Sequence, residues 1–365
     1  MSGVLSRLFL WFLSALLMGC VPQASIKVGL LANLTGPLSD TGLGGRRSLD
    51  LVIRDLNRGE EIHGQRVELL AGDAHGQGGA LAAVVELQRR GVVAVIDTAE
   101  GTEADILTFV TQHQLPTITS SGGLPSKLAS GWLFSVGPKA SALGRTLGHY
   151  AAQRGLTDLA VLRETSNDAY TGPLLQAVRE RVRAAGGEVR KAVEFDMRET
   201  SDFSALAKAL GSAPAYLFLT NGSVAAQVGQ ALARAGNLGP ILAPAWTMTR
   251  DVIALGGRQV ERMVFVSAYD SQNQNPVWRT FHDGYLGSFG EEPDSASVAA
   301  SDAFSVLADA LRISPSTKPG DLSAALTSVD KVSGLATFHR RPDGEVGRDL
   351  FLSTVRDGKF VRNDP

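Results

Sequence analysis

The chain has 365 residues, 44% of them hydrophobic, which is enough to fill the cores of two domains of ordinary size. Its 35 Lys and Arg residues nearly balance its 37 Asp and Glu residues, so it lacks the broad basic field that attracts a nucleic-acid backbone. The composition therefore indicates a globular protein and excludes nucleic acid as the expected partner.

The first segment of the chain has the layout of a secretory signal. Arg7 precedes an apolar run over residues 8–17, which is short for a transmembrane helix, and the run ends in Leu-Met-Gly-Cys. That ending resembles the lipobox of bacterial lipoproteins, in which cleavage precedes the cysteine and its sulfur receives a diacylglyceryl group. We therefore predict a signal peptide over residues 1–19 and a lipidated linker over residues 20–25, tethered to the membrane through Cys20.

Cys20 is the only cysteine of the chain, so no disulfide can form within it. The alternative is a chance cysteine at the end of an ordinary cleaved signal or of an uncleaved anchor. No later stretch has eighteen consecutive apolar residues, so we expect no membrane-spanning helix after the first segment.

Strand and helix patterns alternate from residue 26 onward. Short apolar runs rich in Val, Ile and Leu are typical of buried parallel strands. In the first half these runs cover residues 26–34, 67–71, 92–98 and 117–121. The segments between them carry apolar residues at helical spacing, as do Leu49, Val52, Ile53 and Leu56. The alternation predicts a parallel sheet with helices on both faces.

The same alternation restarts near residue 159 and predicts a second α/β unit. Its strand candidates are residues 159–162, 189–195, 216–220, 241–245 and 263–266. Helix candidates lie between them at residues 170–185, 203–210 and 224–235. Two more helix candidates, residues 277–289 and 297–311, follow the second unit and still need a sheet to cover. The two units therefore need not be contiguous in sequence.

The stretch KVGLLANLTGPLSDTGLGGRRSLDLVIRD, residues 27–55, resembles the opening of the type I periplasmic binding proteins. The resemblance is strongest to those that serve branched-chain amino acid and amide transporters. Further pieces agree in order: IHG at 62–64, GVVAVI at 91–96, LPTITS at 115–120, DAYTG at 168–172 and FSAL at 203–206. Each of these motifs alone is weak evidence for the family, but their occurrence in the same order between residues 26 and 360 makes the resemblance specific.

This resemblance implies an α/β fold of two doubly wound parallel-sheet lobes joined by a three-strand hinge. It places the first lobe at 26–138 plus 270–332 and the second at 139–269 plus 333–365. It also implies a monomeric solute-binding lipoprotein that passes its ligand to an ABC transporter permease and has no enzymatic activity and no cofactor. A small polar ligand, such as a branched-chain amino acid or an amide, would lie between the lobes, where strands end and helices begin.

In the first lobe the resemblance implies ligand contacts on loops that follow strands. Thr41 would rim the cleft, although it is equally suited to cap a helix. Thr102 and Glu100 lie on the loop where relatives bind the ligand carboxylate through a hydroxyl and backbone N–H groups, and Thr102 is also a plain N-cap candidate. Ser120 and Ser121 end the next strand with small side chains that let a ligand approach the backbone.

In the second lobe, Tyr170 corresponds to an aromatic residue that closes over the ligand in relatives. Asn221 and Trp246 end successive predicted strands on the cleft side, and a tryptophan at such a position is also common in a core. Leucine-binding relatives hold the ligand ammonium with acidic side chains, but the aligned positions here are Lys139 and Trp246. Because a lysine repels an ammonium, the alignment argues against a free α-amino acid ligand. Lys139 would instead pair with an anionic ligand, pair with Glu164 or Glu100, or remain a solvated hinge lysine.

An enzymatic function would need a reactive constellation, and the sequence has no nucleophile elbow, zinc-protease motif or phosphate-binding loop. The six histidines are scattered, so no metal site is expected. A second function class remains open, namely a ligand sensor or protein-binding regulatory lipoprotein with the same fold and no transport role.

Overall fold

Strands and helices alternate through most of the chain in the computed structural model. It describes residues 25–99, 101–122, 131–200, 202–329, 331–333, 335, 337–340 and 346–363. Across these residues the strands are β1 Ser25–Ala32, β2 Arg66–Asp73, β3 Ala94–Asp97, β4 Thr117–Thr119, β5 Leu133–Ser135, β6 Asp158–Glu164, β7 Glu188–Phe195, β8 Ala215–Leu219, β9 Ile241–Pro244, β10 Met263–Ser267, β11 Lys331–Ser333, β12 Thr337–Arg340, β13 Val346–Arg348, β14 Phe351–Arg356 and β15 Lys359–Arg362. The α-helices are α1 Ser39–Gly59, α2 Gly79–Arg89, α3 Glu103–Gln112, α4 Ala140–Gln153, α5 Asp168–Ala184, α6 Phe203–Leu210, α7 Gly222–Arg234, α8 Arg250–Gly256, α9 Pro276–Phe289, α10 Ser295–Ile313 and α11 Pro319–Ser328.

The first sheet is parallel throughout, with the strand order β2-β1-β3-β4-β5. Val28 of β1 pairs with Leu69 on one side and with Ala94 on the other. Leu30 and Leu31 point to opposite faces of the sheet, and both are fully buried. Burial on both faces explains why the sequences of these strands are continuously apolar. The parallel pairing of the strands confirms the sheet predicted for the first half of the chain.

The second sheet has the order β15-β14-β10-β9-β8-β6-β7. Strands β6 to β10 are parallel, whereas β14 and β15 are antiparallel additions at one edge. The sequence predicted the parallel strands but not β14 and β15. In β15 the buried Phe360 lies between the exposed Lys359 and the half-buried Val361, so its apolar signal is weaker than that of a central strand.

Helices α9 to α11 follow the parallel strands of the second sheet in sequence, but they pack with the elements of the first sheet. Helix α10 packs against α1, and its Phe304 and Leu307 share a core with Ile26 and Val28 of β1. Beyond these helices, β11, β12 and β13 form a small antiparallel sheet before β14 joins the second large sheet.

We call the first sheet with α1–α3 and α9–α11 the first lobe, and the second sheet with α4–α8 the second lobe. The predicted α/β fold of two parallel-sheet lobes is confirmed, while the exact lobe boundaries implied by the resemblance stay predictions. Among the described residues, no helix combines the length and the apolar character that a membrane span requires.

Candidate functional site

A cleft lies between the lobes at the carboxyl ends of their parallel strands. About 880 Å³ of space in and around the cleft is not occupied by protein atoms, and this volume includes open solvent. Thr98, Ser120 and Val136 line the cleft directly after β3, β4 and β5, and Ala245 and Ala268 line it directly after β9 and β10. Strand ends of both sheets therefore face the same space, as expected for ligand sites of open α/β sheets.

Five of the residues singled out in the sequence line this cleft. Thr41, Ser120 and Ser121 do so from the first lobe, and Tyr170 and Trp246 do so from the second. The structure thus brings these five together although they are far apart in the chain. Their role as ligand contacts stays a prediction.

The floor of the cleft is a close crossing of two loops of the first lobe. A Cβ on Gly122 would lie 1.6 Å from the carbonyl oxygen of Pro138, and one on Gly137 would lie 2.5 Å from the carbonyl oxygen of Ser120. Only glycine fits at such distances. The two glycines therefore allow the loop after β4 to pass against the loop after β5 and set the position of Ser120 and Ser121.

Thr41 reaches the cleft from the first turn of α1. The start of this helix lies against the loop after β1, because a Cβ on Gly42 would be only 1.9 Å from the carbonyl oxygen of Asn33. The Thr41 hydroxyl donates to the carbonyl oxygen of Leu38 at 2.8 Å. That bond fixes the hydroxyl proton and leaves the oxygen to act as an acceptor.

Glu103 lies buried behind Ser120 and Ser121, which we call the serine wall of the cleft. Its Oε1 accepts a hydrogen bond from the Thr119 hydroxyl at 3.2 Å, and its carboxyl also bonds the Ser121 side chain. Burial raises the pKa of the Glu103 carboxyl and outweighs these hydrogen bonds, which lower it. Glu103 therefore orients Ser121 from behind without itself lining the cleft.

Thr102 lies beneath the wall and does not line the cleft. Its hydroxyl is within 3.1 and 3.2 Å of the two Asp97 carboxylate oxygens, and Asp97 also accepts a bond from the backbone N–H of Ala99. The hydroxyl that the resemblance assigned to the ligand is thus directed into the protein, where it braces the loop after β3. Glu100, on the same loop, lies outside the described residues, as does Cys20.

The second-lobe wall is aromatic. The rings of Tyr170 and Trp246 meet edge to face, with centroids 6.2 Å apart and an angle of 87° between their planes. Trp246 is only 5% exposed, and within the described part of the chain its Nε1 has no hydrogen-bond acceptor. Trp246 is therefore part of the core and also lines the cleft, while its contact with a ligand stays a prediction.

Asn221 does not line the cleft but joins the lobes beside it. Its Oδ1 caps α7 by accepting from the backbone N–H of Val224 at 3.0 Å, and its Nδ2 donates to the carbonyl oxygen of Pro37 in the first lobe at 3.0 Å. Lys139 directly precedes α4 and is likewise outside the cleft lining. Asn221 thus caps a helix and joins the lobes beside the cleft, Lys139 occupies the position before α4, and the contacts of both residues with a ligand stay predictions.

A second set of contacts links the lobes near the start of α1. Glu291 accepts a hydrogen bond from Arg47 of the first lobe at 2.7 Å, and it forms an ion pair with Arg250 of the second lobe at 3.3 Å. Burial, with a contribution from the nearby carboxylate of Asp251, raises the pKa of Asp40 to about 6. Charged groups thus meet across the lobe interface outside the ligand space.

Several cleft-lining residues were missed by the sequence analysis, among them Thr98, Tyr269, Ser295 and Arg348. Thr98 follows β3 directly and Tyr269 lies just after β10, so the strand-end rule that found Ser120 also applies to them. Arg348 had no such signal, since it is brought to the cleft by the small antiparallel sheet. Its guanidinium is 2.9 Å from the carboxylate of Asp302, and both side chains are almost completely buried.

A family model described as "Periplasmic binding protein" matches residues 25–359. The structure of a leucine-binding protein from Thermotoga maritima has a TM-score of 0.82 and 19% sequence identity, covering 93% of this chain and 98% of that chain. A branched-chain amino acid transporter substrate-binding protein from Streptococcus pneumoniae, solved with isoleucine, has a TM-score of 0.83 and 18% identity, covering 94% and 100%.

A solute-binding protein of an ABC transporter from R. palustris, solved with benzoate, also has a TM-score of 0.83 and 18% identity, covering 93% of this chain and 95% of that chain. No curated protein matches the sequence. At these identities the solved structures show the fold alone, whereas the family model covers nearly the whole described chain.

Proposed function

Because the chain belongs to the periplasmic binding protein family, whose members are solute-binding proteins rather than enzymes, we propose that it is the solute-binding lipoprotein of an ABC transporter. It captures a small polar molecule between its lobes and presents it to a membrane permease. The observation that carries this proposal is the cleft at the strand ends of both sheets, with a hydroxyl-rich wall from Ser120 and Ser121 facing an aromatic wall from Tyr170 and Trp246.

The ligand works by stabilising a closed arrangement of the lobes. A molecule that touches both walls binds the closed form better than the open form, and this difference in affinity shifts the equilibrium. The bond from Asn221 to Pro37 and the Arg250–Glu291 contact support this view, because both cross from one lobe to the other and can form only when the lobes approach.

Ligand binding is tested by thermal unfolding of the purified protein against branched-chain amino acids, aliphatic amides, polyamines and short carboxylates. The protein is first denatured and refolded to remove any ligand that copurifies with it. A compound present at a hundred times its dissociation constant adds about 2.7 kcal/mol to the free energy of unfolding, which raises the midpoint visibly. If no compound raises the midpoint, the protein is not a binding protein for these classes, and the regulatory alternative takes its place.

The tether is tested separately with Cys20→Ser. We expect the variant to lose lipid labelling and to leave the membrane fraction, because Cys20 is the only sulfur that can carry a diacylglyceryl group. Binding by the purified protein should remain unchanged. Membrane association identical to that of the wild type would contradict the lipid tether while leaving the ligand proposal intact.

A further inference from the structure

A second cavity lies where the lobes meet beside the start of α1, and among the described residues it shares no lining with the ligand cleft. Its walls come from α1, the end of α9 and the loop before α10 in the first lobe, and from the start of α8 in the second. The acidic residues of this lining, which we call the interface carboxylates, are Asp40, Asp251, Glu291, Glu292 and Asp294. The described lining has two basic residues, Arg47 and Arg250, so negative charge is in excess where the lobes meet.

Basic side chains neutralise two of the interface carboxylates. Glu291 accepts a hydrogen bond from Arg47 at 2.7 Å and forms an ion pair with Arg250 at 3.3 Å. Glu292 pairs with Lys359 of β15, in the second lobe, at 2.6 Å. Both basic residues of the cavity are therefore engaged by Glu291, and within the described part of the chain none of the three aspartates of the set forms an ion pair.

Asp40 faces residues of both lobes. It lies in the first turn of α1, where its Oδ1 accepts from the backbone N–H of Thr41 at 2.8 Å. In the second lobe the Thr249 side chain bonds its carboxyl and the Asp251 carboxylate repels it, and Asp294 of the first lobe repels it as well. Burial raises the pKa of Asp40 to about 6, the two carboxylates add to the rise, and the bonds from Thr249 and Thr41 oppose it.

Closure of the lobes therefore changes how tightly Asp40 holds a proton. When the lobes separate, Thr249 and Asp251 move away and water reaches the carboxyl, so its pKa returns towards the ordinary aspartate value. A conformation that binds a proton more tightly gains population as pH falls. We infer that Asp40 makes closure pH-dependent: protonated Asp40 favours the closed lobes, and ionised Asp40, facing Asp251 and Asp294, favours the open lobes. This inference rests on the lobe closure of the proposed function and does not depend on which ligand binds.

Two other titratable groups face Asp40 from the first lobe. Burial also raises the pKa of Asp294, but this carboxyl accepts from the backbone N–H and the hydroxyl of Ser297 at 2.8 and 2.7 Å, and these bonds lie within one lobe. Burial raises the pKa of Tyr285 to about 12, so its hydroxyl stays neutral at the pH values at which Asp40 titrates.

His282 titrates nearby but does not join the lobes. Burial lowers the pKa of His282, and its hydrogen bonds with Asp283 and Glu292 outweigh burial and raise the pKa above the ordinary value. All three residues belong to the first lobe, so this pairing persists when the lobes separate. Asp40 is thus the group whose titration is coupled to closing.

The expected size of the effect follows from the two pKa values of Asp40, about 6 in the closed lobes and about 4 in the open lobes. The ratio of closed to open molecules then rises by up to about tenfold as pH falls from 7.5 to 5. Above roughly pH 7 Asp40 is ionised in both arrangements, and the ratio no longer changes.

Small-angle scattering of the ligand-free protein at pH 5 and 7.5 tests the inference. We expect a smaller radius of gyration at pH 5 in the wild type, whereas Asp40→Asn, which is neutral at both pH values, should keep the smaller radius throughout. Asp50→Asn is the matched control, because Asp50 lies on the same helix but pairs with the exposed Arg46 at 3.0 Å, and it should follow the wild type. A wild-type radius that does not change with pH, or the same change in Asp40→Asn as in the wild type, would overturn the inference.

A second variant tests the contact across the lobes. Asp251→Asn keeps Asp40 but removes the second-lobe carboxylate that repels it, so the change in radius should move to lower pH. A change at the same pH as in the wild type would overturn the role of Asp251. Failure of either test leaves ligand binding untouched, because the thermal unfolding panel measures binding independently of Asp40.

Discussion

Asn221 offers the sharpest test of how the two lobes are held together. Its side chain makes two separate bonds: Oδ1 caps α7, and Nδ2 reaches Pro37 of the first lobe. Asn221→Ser keeps a good capping group but is too short to span the lobes, whereas Asn221→Ala removes both functions. Comparing the two variants therefore separates the capping bond from the bond between lobes.

The expected magnitudes follow from the geometry. Loss of the cap in Asn221→Ala should lower the free energy of unfolding by about 1 kcal/mol, and Asn221→Ser should retain most of that amount. The bond to Pro37 is worth about 1 kcal/mol, the usual net contribution of a hydrogen bond between uncharged groups. A change of this size alters the ratio of closed to open molecules about fivefold.

Small-angle scattering measures the lobe arrangement, and urea unfolding measures the stability of the fold. Asn275→Ser is the matched control, because Asn275 caps α9 by accepting from Val277 at 2.9 Å and its cap involves no residue of the other lobe. We expect a larger radius of gyration for Asn221→Ser than for Asn275→Ser at similar stability. Identical scattering of these two variants would refute the reasoning that Asn221 holds the lobes together.

Three further predictions concern stability. The pKa of Asp40 in the fold, about 6, lies above its ordinary value, so the native state binds a proton more tightly than the unfolded chain and the free energy of unfolding falls as pH rises from about 4 through 6. Asp40→Asn should remove this pH dependence and stabilise the protein by roughly 1–2 kcal/mol at pH 7.5. Unfolding midpoints of both proteins at pH 5 and 7.5 measure the effect. Asp302→Ala should cost about 3–5 kcal/mol in urea unfolding by leaving Arg348 buried without its carboxylate, and adding Arg348→Met should recover part of the loss. Gly122→Ala should lower the unfolding midpoint strongly, because the added Cβ clashes with the carbonyl of Pro138. The control Gly287→Ala, in open space on α9, should raise the midpoint slightly. Equal effects of the two variants would contradict the close crossing of the loops at Gly122.

The candidate site was partly predictable because of where it lies in the fold. In a parallel α/β sheet every strand end lies at the same edge, so a polar residue directly after an apolar run is a candidate for the cleft. Ser120 and Ser121 were found in this way, and the same reasoning applied consistently would have found Thr98 and Tyr269. The start of a helix after a strand similarly placed Thr41 and Tyr170.

The direction of a side chain was not predictable by the same means. Thr98 and Thr102 lie on one loop and are both threonines, yet only Thr98 lines the cleft, because the Thr102 hydroxyl bonds the buried Asp97. Asn221 follows its strand as Ser120 does, but its two polar atoms are engaged by α7 and by the other lobe. These outcomes depend on neighbours that sequence spacing does not identify.

The sequence by itself determined the two α/β lobes, because strands buried on both faces must be continuously apolar and amphipathic helices must cover them. It also determined the family resemblance and the strand ends from which a cleft is built. Only the tertiary structure decided which of those residues share one space. The pairing of Arg348 with Asp302, the crossing of Gly122 and Gly137, and the contact of Asn221 with Pro37 all join residues distant in the chain. Their partners are set by how the helices and loops pack, and no local pattern encodes that packing.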